Sequence, residues 1–276
     1  MQITVAHSPD SDDAFMFYGL AKGGVPTDGL DVRHVLCDIE TLNREAARGT
    51  YEVTAISFHA YPYVAERYAL MPCGGSIGDG YGPLLVAREA FDPRDLAGRS
   101  VAVPGTLTSA FLALKLFAPR AETRVVPFDR ILDEVQAGRA DVGLIIHEGQ
   151  LTYGGFGLKK LLDLGAWWKE ETGLPLPLGG NAVRRDLGPD LVARLTRLVR
   201  ATVRHSLENR AAALEYAMTF ARGMDPAVAD RFVGLWVNDM TLDCGERGRR
   251  AVQTLLDRGH EAGIIPRRVV VDFVEA

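Results

Sequence analysis

The 276-residue chain is 47% hydrophobic and 24% charged, values of an ordinary globular protein with room for one large or two medium domains. Thirty-one basic against 36 acidic residues leave a net charge of −5 with no dense Lys/Arg block, which disfavours nucleic acid or an anionic membrane as partner. The start, Met1-Gln-Ile-Thr-Val-Ala6, has no basic stretch leading into an apolar one, and no apolar run reaches the roughly 18 residues of a membrane span, so a cytoplasmic location is expected.

Ile3 to Ala6 reads as a short strand running into the polar loop His7-Ser-Pro-Asp-Ser-Asp-Asp13 and then a helix from Ala14. Asp12 or Asp13 is a candidate cap, and Ser8 falls where a strand ends before a helix begins; a ligand loop and a well-capped turn are equally good readings. Gly29 to Asp38 predicts the next strand. Ile39 to Gly49 predicts an amphipathic helix closed by Gly49. Tyr51 to Ser57 predicts another strand, with Ser57 at its carboxyl end, where a hydroxyl and the following amides suit an anion or a ligand hydroxyl. His59 and Tyr61 read as packing residues. Gly74-Gly-Ser-Ile-Gly-Asp-Gly-Tyr-Gly82 lacks the Lys-Ser/Thr of a phosphate loop and reads as a turning loop before a strand at Pro83 to Arg88.

Ser100 to Phe117 gives a strand, a Pro-Gly turn and a hydroxyl-rich helix start. Thr106, Thr108 and Ser109 beside unpaired helix amides make an anion site suited to a carboxylate, although capping alone needs only one hydroxyl. Arg124-Val-Val-Pro127 reads as a short strand and Asp129 to Gly138 as a helix. Val142 to Ile146 then reads as a buried parallel strand ending in His147-Glu148-Gly149. His147 is either an ionisable group delivered to a ligand crevice or a strand cap bonded to backbone. Leu151 to Leu162 is a glycine-broken stretch. Trp167 and Trp168 suit either a ligand wall or the core. Leu174 to Asp186 is extended, and helices follow from Pro189, at Arg210 to Arg222, Asp225 to Val237 and Gly245 to Ala262, before an extended tail at Val269 to Val274. Cys37, Cys73 and Cys244 match neither a disulfide framework nor a zinc spacing, and each is expected to be buried.

Connectors near Phe91 to Gly98 and Leu178 to Asn181 divide the chain into an α/β lobe of residues 1–95 and 182–276 and an inserted α/β lobe of residues 96–181, with a central ligand cleft. This order resembles the type 2 periplasmic-binding-protein fold. Within that fold the chain is similar to the 1,4-dihydroxy-6-naphthoate synthases of menaquinone biosynthesis, on Ser8-Pro-Asp-Ser-Asp-Asp-Ala-Phe-Met-Phe17, Ile56-Ser-Phe-His59, Ile145-Ile-His-Glu-Gly149 and Leu178-Gly-Gly-Asn-Ala-Val-Arg-Arg-Asp186. The resemblance implies a carbon–carbon lyase of the futalosine route. It would convert cyclic dehypoxanthinylfutalosine, a small carboxylate, to 1,4-dihydroxy-6-naphthoate without a metal or organic cofactor. It also implies His147 as general base and Ala55, Ile56, Ser57, Thr108 and Ser109 as substrate-binding residues. Two rivals remain on the same fold: a chorismate dehydratase and a non-enzymatic binder of small carboxylates.

Overall fold

The computed structural model describes residues 1–221 and 225–275. Its strands are β1 (Gln2–His7), β2 (Asp31–Leu36), β3 (Val53–Ser57), β4 (Tyr68–Leu70), β5 (Ser76–Gly78), β6 (Leu84–Ala87), β7 (Ser100–Val103), β8 (Glu122–Val125), β9 (Val142–Ile145), β10 (Lys159–Asp163) and β11 (Leu176–Arg184). They form two sheets, one in the order β2-β1-β3-β11-β4 with β5 also on β11, the other in the order β10-β6-β9-β7-β8. In the first sheet β1 is parallel to β2 and β3, and β11 returns antiparallel to β3, with Gly179 opposite Ser57. β3 is buried along its whole length, as its central position demands of Val-Thr-Ala-Ile-Ser.

The sheets exchange the chain at places other than the expected connectors. β6 already belongs to the second sheet, between β9 and β10, although it precedes residue 96. β11 joins the first sheet from Leu176, before residue 182. Leu84-Leu-Val-Ala87 is fully buried and apolar, a sequence for a sheet centre. The Pro- and Asp-rich stretch after it is a mostly exposed turn. β9 is accordingly parallel to β7 but antiparallel to β6, not purely parallel as the sequence suggested. β4 lies where the sequence predicts no element, β5 in the expected turning loop and β10 at the end of the glycine-broken stretch, because three-residue strands and a glycine-broken run carry little periodicity.

Helix ends follow local chemistry. Asp38 caps the helix Ile39–Arg48 by accepting from the Thr41 amide, and Gly49 closes it at φ 73°. Thr108 caps the helix Ser109–Phe117 by accepting from the Phe111 amide at 3.1 Å. The helix Pro189–Glu208 and the helix Gly245–Glu261 both pack on β11 of the first sheet, and the second also meets the helix Ser109–Phe117. The C-terminal tail is extended, with Phe273 bridging to Leu70, and Arg222 of the expected helix after Arg210 lies outside the described residues. Cys73 and Cys244 are buried; Cys37, on the rim of a small core beside Leu42, is only partly so.

One hydrophobic core runs through both sheets. Ile56, Tyr68 and Leu70 of the first and Val101, Val142 and Leu144 of the second meet Leu112 of the helix Ser109–Phe117 and Leu255 of the helix Gly245–Glu261. Burying each such side chain stabilises by about 1.5–3 kcal/mol relative to exposure. The two lobes are therefore joined by shared apolar packing as well as by chain crossings. Trp168 lies in this core with its Nε1 donating to the Pro175 carbonyl at 3.1 Å. Trp167 packs against Phe117, and neither indole reaches the cleft described next.

Candidate active site

A cleft opens at the carboxyl ends of β1 and β3, where open α/β sheets bind ligands. Ala55, Ile56, Ser57, Thr108 and Ser109, five of the six residues expected at the site, line it. His147 does not.

Asn43, 1% exposed, organises the Ser57 side. Its Oδ1 accepts from the Ser57 amide at 2.8 Å, and its Nδ2 donates to Ser57 Oγ at 3.1 Å and to the Leu107 carbonyl at 3.5 Å. One amide side chain thus fixes the β3 end and touches the turn before Thr108. Glu40, one turn earlier on the same helix, accepts from the Leu107 amide at 3.0 Å. The approach is so close that a Cβ on Gly105 would clash with the Glu40 carboxylate, so a larger residue in this turn would displace that tie. His59 adds a third tie: its amide donates to Ser109 Oγ at 3.1 Å and its Nδ1 lies 3.2 Å from the Thr108 carbonyl. Burial holds the His59 imidazole neutral, with its pKa lowered to about 4. Nδ1 is then the donor to Thr108.

The hydroxyl-bearing wall is consequently rigid. Ser109 and Ala110, whose amides stand in the first helical turn and have no intrahelical partner, both line the cleft. Thr106 is exposed outside it. Asn43→Ala is expected to leave the Ser57 amide buried without its partner. The expected loss is about 1–3 kcal/mol of stability together with a raised substrate KM, checked by thermal melting and initial rates.

The loop after β1 supplies the acidic part of the cleft. Ser8, Asp10, Asp12 and Asp13 all line it. The helix here is Ser11–Met16, with Asp10 in the cap position but no side-chain cap bond, so Asp12 and Asp13 are first-turn residues rather than caps. Asp13 Oδ2 instead accepts from the Ser8 amide at 2.8 Å, and Ser8 Oγ donates to Asp10 Oδ2 at 2.9 Å. Desolvation of these half-buried groups, added to by neighbouring carboxylates, raises the Asp13 carboxyl to about 7 and Asp12 well above the usual carboxylate range. Both therefore hold protons far more readily than a surface aspartate. Behind them the His7 ring stacks on Phe17 with 4.3 Å between centroids, and burial lowers its pKa to about 3.

His147 follows β9 and is 6% exposed. Its Nε2 donates to the Phe128 carbonyl at 2.9 Å, and its Nδ1 accepts from the Gly149 amide at 3.0 Å. Those two bonds set the tautomer, with the ring proton on Nε2. Glu148 Oε2 is 3.7 Å from Nδ1. Its neighbour Ile146 is the residue of this segment that reaches the cleft.

Sequence reasoning missed Ile39, Ser76, Leu178 to Gly180 and Trp236 as cleft residues. Leu178-Gly-Gly180 carried the family resemblance without a site role. Trp236 falls near the end of the helix expected at Asp225 to Val237, and no local signal marks it as a cleft residue. Among the described residues no group of three His, Cys, Asp or Glu is arranged to hold a metal ion, and no helix is long and apolar enough to cross a membrane.

Two α/β lobes with a cleft at the strand ends define the periplasmic-binding-protein fold. The alkanesulfonate-binding protein of Xanthomonas axonopodis pv. citri superposes over 98% of this chain and 96% of its own with a TM-score of 0.73 at 13% identity. The menaquinone biosynthesis family matches residues 3–261, and the chain belongs to it. Two relatives bear the name 1,4-dihydroxy-6-naphthoate synthase. That of Streptomyces coelicolor is 43% identical over 96% of this chain and 95% of its own. That of Thermus thermophilus is 42% identical over 95% of each.

Proposed function

We propose that the chain is a 1,4-dihydroxy-6-naphthoate synthase, cleaving a carbon–carbon bond of cyclic dehypoxanthinylfutalosine in menaquinone biosynthesis. The observation that carries this reading on the structural side is the convergence of Ser57, Thr108 and Ser109 on one cleft beside the open end of a helix. The Ser57 and Ser109 hydroxyls and the first-turn amides together suit the substrate carboxylate, while the Thr108 hydroxyl, donating to the Gly105 carbonyl and accepting from the Phe111 amide, holds the turn in place. The two relatives favour the synthase over a chorismate dehydratase or a simple carboxylate binder. Incubation with cyclic dehypoxanthinylfutalosine is expected to produce the ultraviolet spectrum of a dihydroxynaphthoate. Thermal stabilisation by the compound without product would favour the binder instead.

Removal of a proton from a sugar-derived hydroxyl begins the cleavage, and His147 is the proposed base. In the tautomer set by Phe128 and Gly149 the lone pair is on Nδ1, so a proton arrives there, with the Glu148 carboxylate 3.7 Å away to offset the new charge. The Gly149 bond must open for this step, and the turn after β9 must bring the ring past Ile146 into the cleft. A second reading takes the proton with Asp13, because that carboxyl already lines the cleft and titrates near neutrality. Ser109→Ala removes a hydroxyl at the carboxylate wall. It is expected to raise KM about three- to tenfold with kcat within about twofold of wild type, measured by initial rates. An unchanged KM with a collapsed kcat would contradict a binding role.

A further inference from the structure

Trp236 ends the helix Pro226–Trp236 and is 2% exposed, with its ring edge-on to Tyr81 at 5.4 Å. It lines the cleft, and its Nε1–H has no acceptor among the described residues. A buried donor left in that condition is rare in folded proteins, and an indole nitrogen only donates, so the missing partner is an acceptor oxygen.

The surroundings narrow the kind of oxygen. The helix Pro226–Trp236 packs against the helix Ser11–Met16, which carries Asp12 and Asp13, and Asp10 precedes them at the cleft wall. A ligand carboxylate finds no cation on this wall of Asp10, Asp12 and Asp13, and it has a better place beside the first-turn amides at Ser57, Thr108 and Ser109. A hydroxyl or ether oxygen meets no such penalty, and a hydroxyl can also exchange hydrogen bonds with the carboxyl groups.

We propose that Trp236 is a specificity-determining residue whose Nε1–H donates to a hydroxyl or ether oxygen of the ligand's sugar-derived part, while the ligand carboxylate lies at Ser57, Thr108 and Ser109. This inference rests on the cleft being the site of the naphthoate-forming reaction. It adds how the ligand is turned within that cleft: the helix amides take its anion, and Trp236 takes its non-aromatic oxygen.

The test uses Trp236→Phe, which keeps an aromatic ring and removes the N–H. The two probes are cyclic dehypoxanthinylfutalosine, through its KM, and 2-naphthoate, an aromatic carboxylate without aliphatic hydroxyls, through its inhibition constant. The expected result is a KM raised about three- to tenfold with the 2-naphthoate constant changed less than twofold. Equal weakening of both ligands, or of neither, overturns the proposal even where wild-type turnover upholds the function. If the wild-type protein binds the futalosine derivative but forms no product, calorimetric binding constants replace KM. A selective loss in W236F then supports the proposal while the reaction assignment fails. If W236F does not fold, the wild-type protein labelled with ¹⁵N at its three tryptophans serves. At least one indole N–H resonance should move on adding the futalosine derivative and stay in place with 2-naphthoate; three unmoved signals overturn the proposal.

Discussion

His147→Asn is expected to lower kcat by about 10²–10⁴-fold, the range for loss of a general base, while the protein remains folded. The substitution also removes two backbone hydrogen bonds, to the Phe128 carbonyl and from the Gly149 amide. Their loss costs about 1–3 kcal/mol, enough to lower the melting temperature by several degrees. The two effects separate cleanly when kcat is measured well below the melting transition and the fold is followed by circular dichroism. Near-wild-type turnover in a folded His147→Asn protein would leave the histidine as a structural clamp on the turn after β9. The base would then be sought at Asp13, which lines the cleft without rearrangement.

Asp13→Asn is expected to raise stability at pH 8 by an amount on the order of 1–3 kcal/mol. It is also expected to lower turnover, by up to the same 10²–10⁴-fold range if Asp13 is the base. The Asp13 carboxyl titrates near 7 in the fold against 3.8 unfolded, so its stabilising contribution is complete below pH 3.8 and lost as pH rises through 7. At pH 8 the native state carries a charge that burial has stripped of solvent, and asparagine relieves that while still accepting from the Ser8 amide. The buried histidines run the other way. His7 titrates near 3 and His59 near 4 in the fold against 6.5 unfolded, so their contribution is present above pH 6.5 and lost as pH falls toward those values. In the wild-type protein the aspartate and the histidines partly offset each other between pH 4 and 6.5. Removing the Asp13 carboxyl should therefore steepen the fall in stability over that window. A chemical-denaturation series from pH 4 to 8 measures both signs. Equal stability of Asp13→Asn and wild type at every pH would mean that the carboxyl is not strained by its burial.

Where function depended on local chemistry, the sequence was informative. Ser57 at the end of an apolar strand, and Thr108-Ser109 at a hydroxyl-rich helix start, are fixed by strand and capping rules that act within a few residues. Both reached the cleft. The direction of the His147 side chain was not legible, because it is set by the carbonyl of Phe128, nineteen positions earlier in a short helical turn. Trp236 was equally hidden: its place in the cleft depends on one helix packing against another more than 200 residues earlier in the chain. The lobe crossings were displaced for a related reason. A Pro/Asp/Gly-rich connector marks an exposed turn, whereas the sheet that receives β6 is decided by its burial between β9 and β10.

The ties from Glu40, Asn43 and His59 to the segment between Gly105 and Ser109 have a mechanical consequence. Any rocking of the second sheet against the first must turn about this edge, since separating it there would break several buried hydrogen bonds at once. Displacement grows with distance from such an axis, so the hydroxyl-bearing wall would stay nearly still. The turn after β9, with Ile146 and His147 on it, carries none of these ties and would move with the second sheet. Substrate would then dock by its anionic end on a fixed jaw, and the moving jaw would carry the residues that close over the rest.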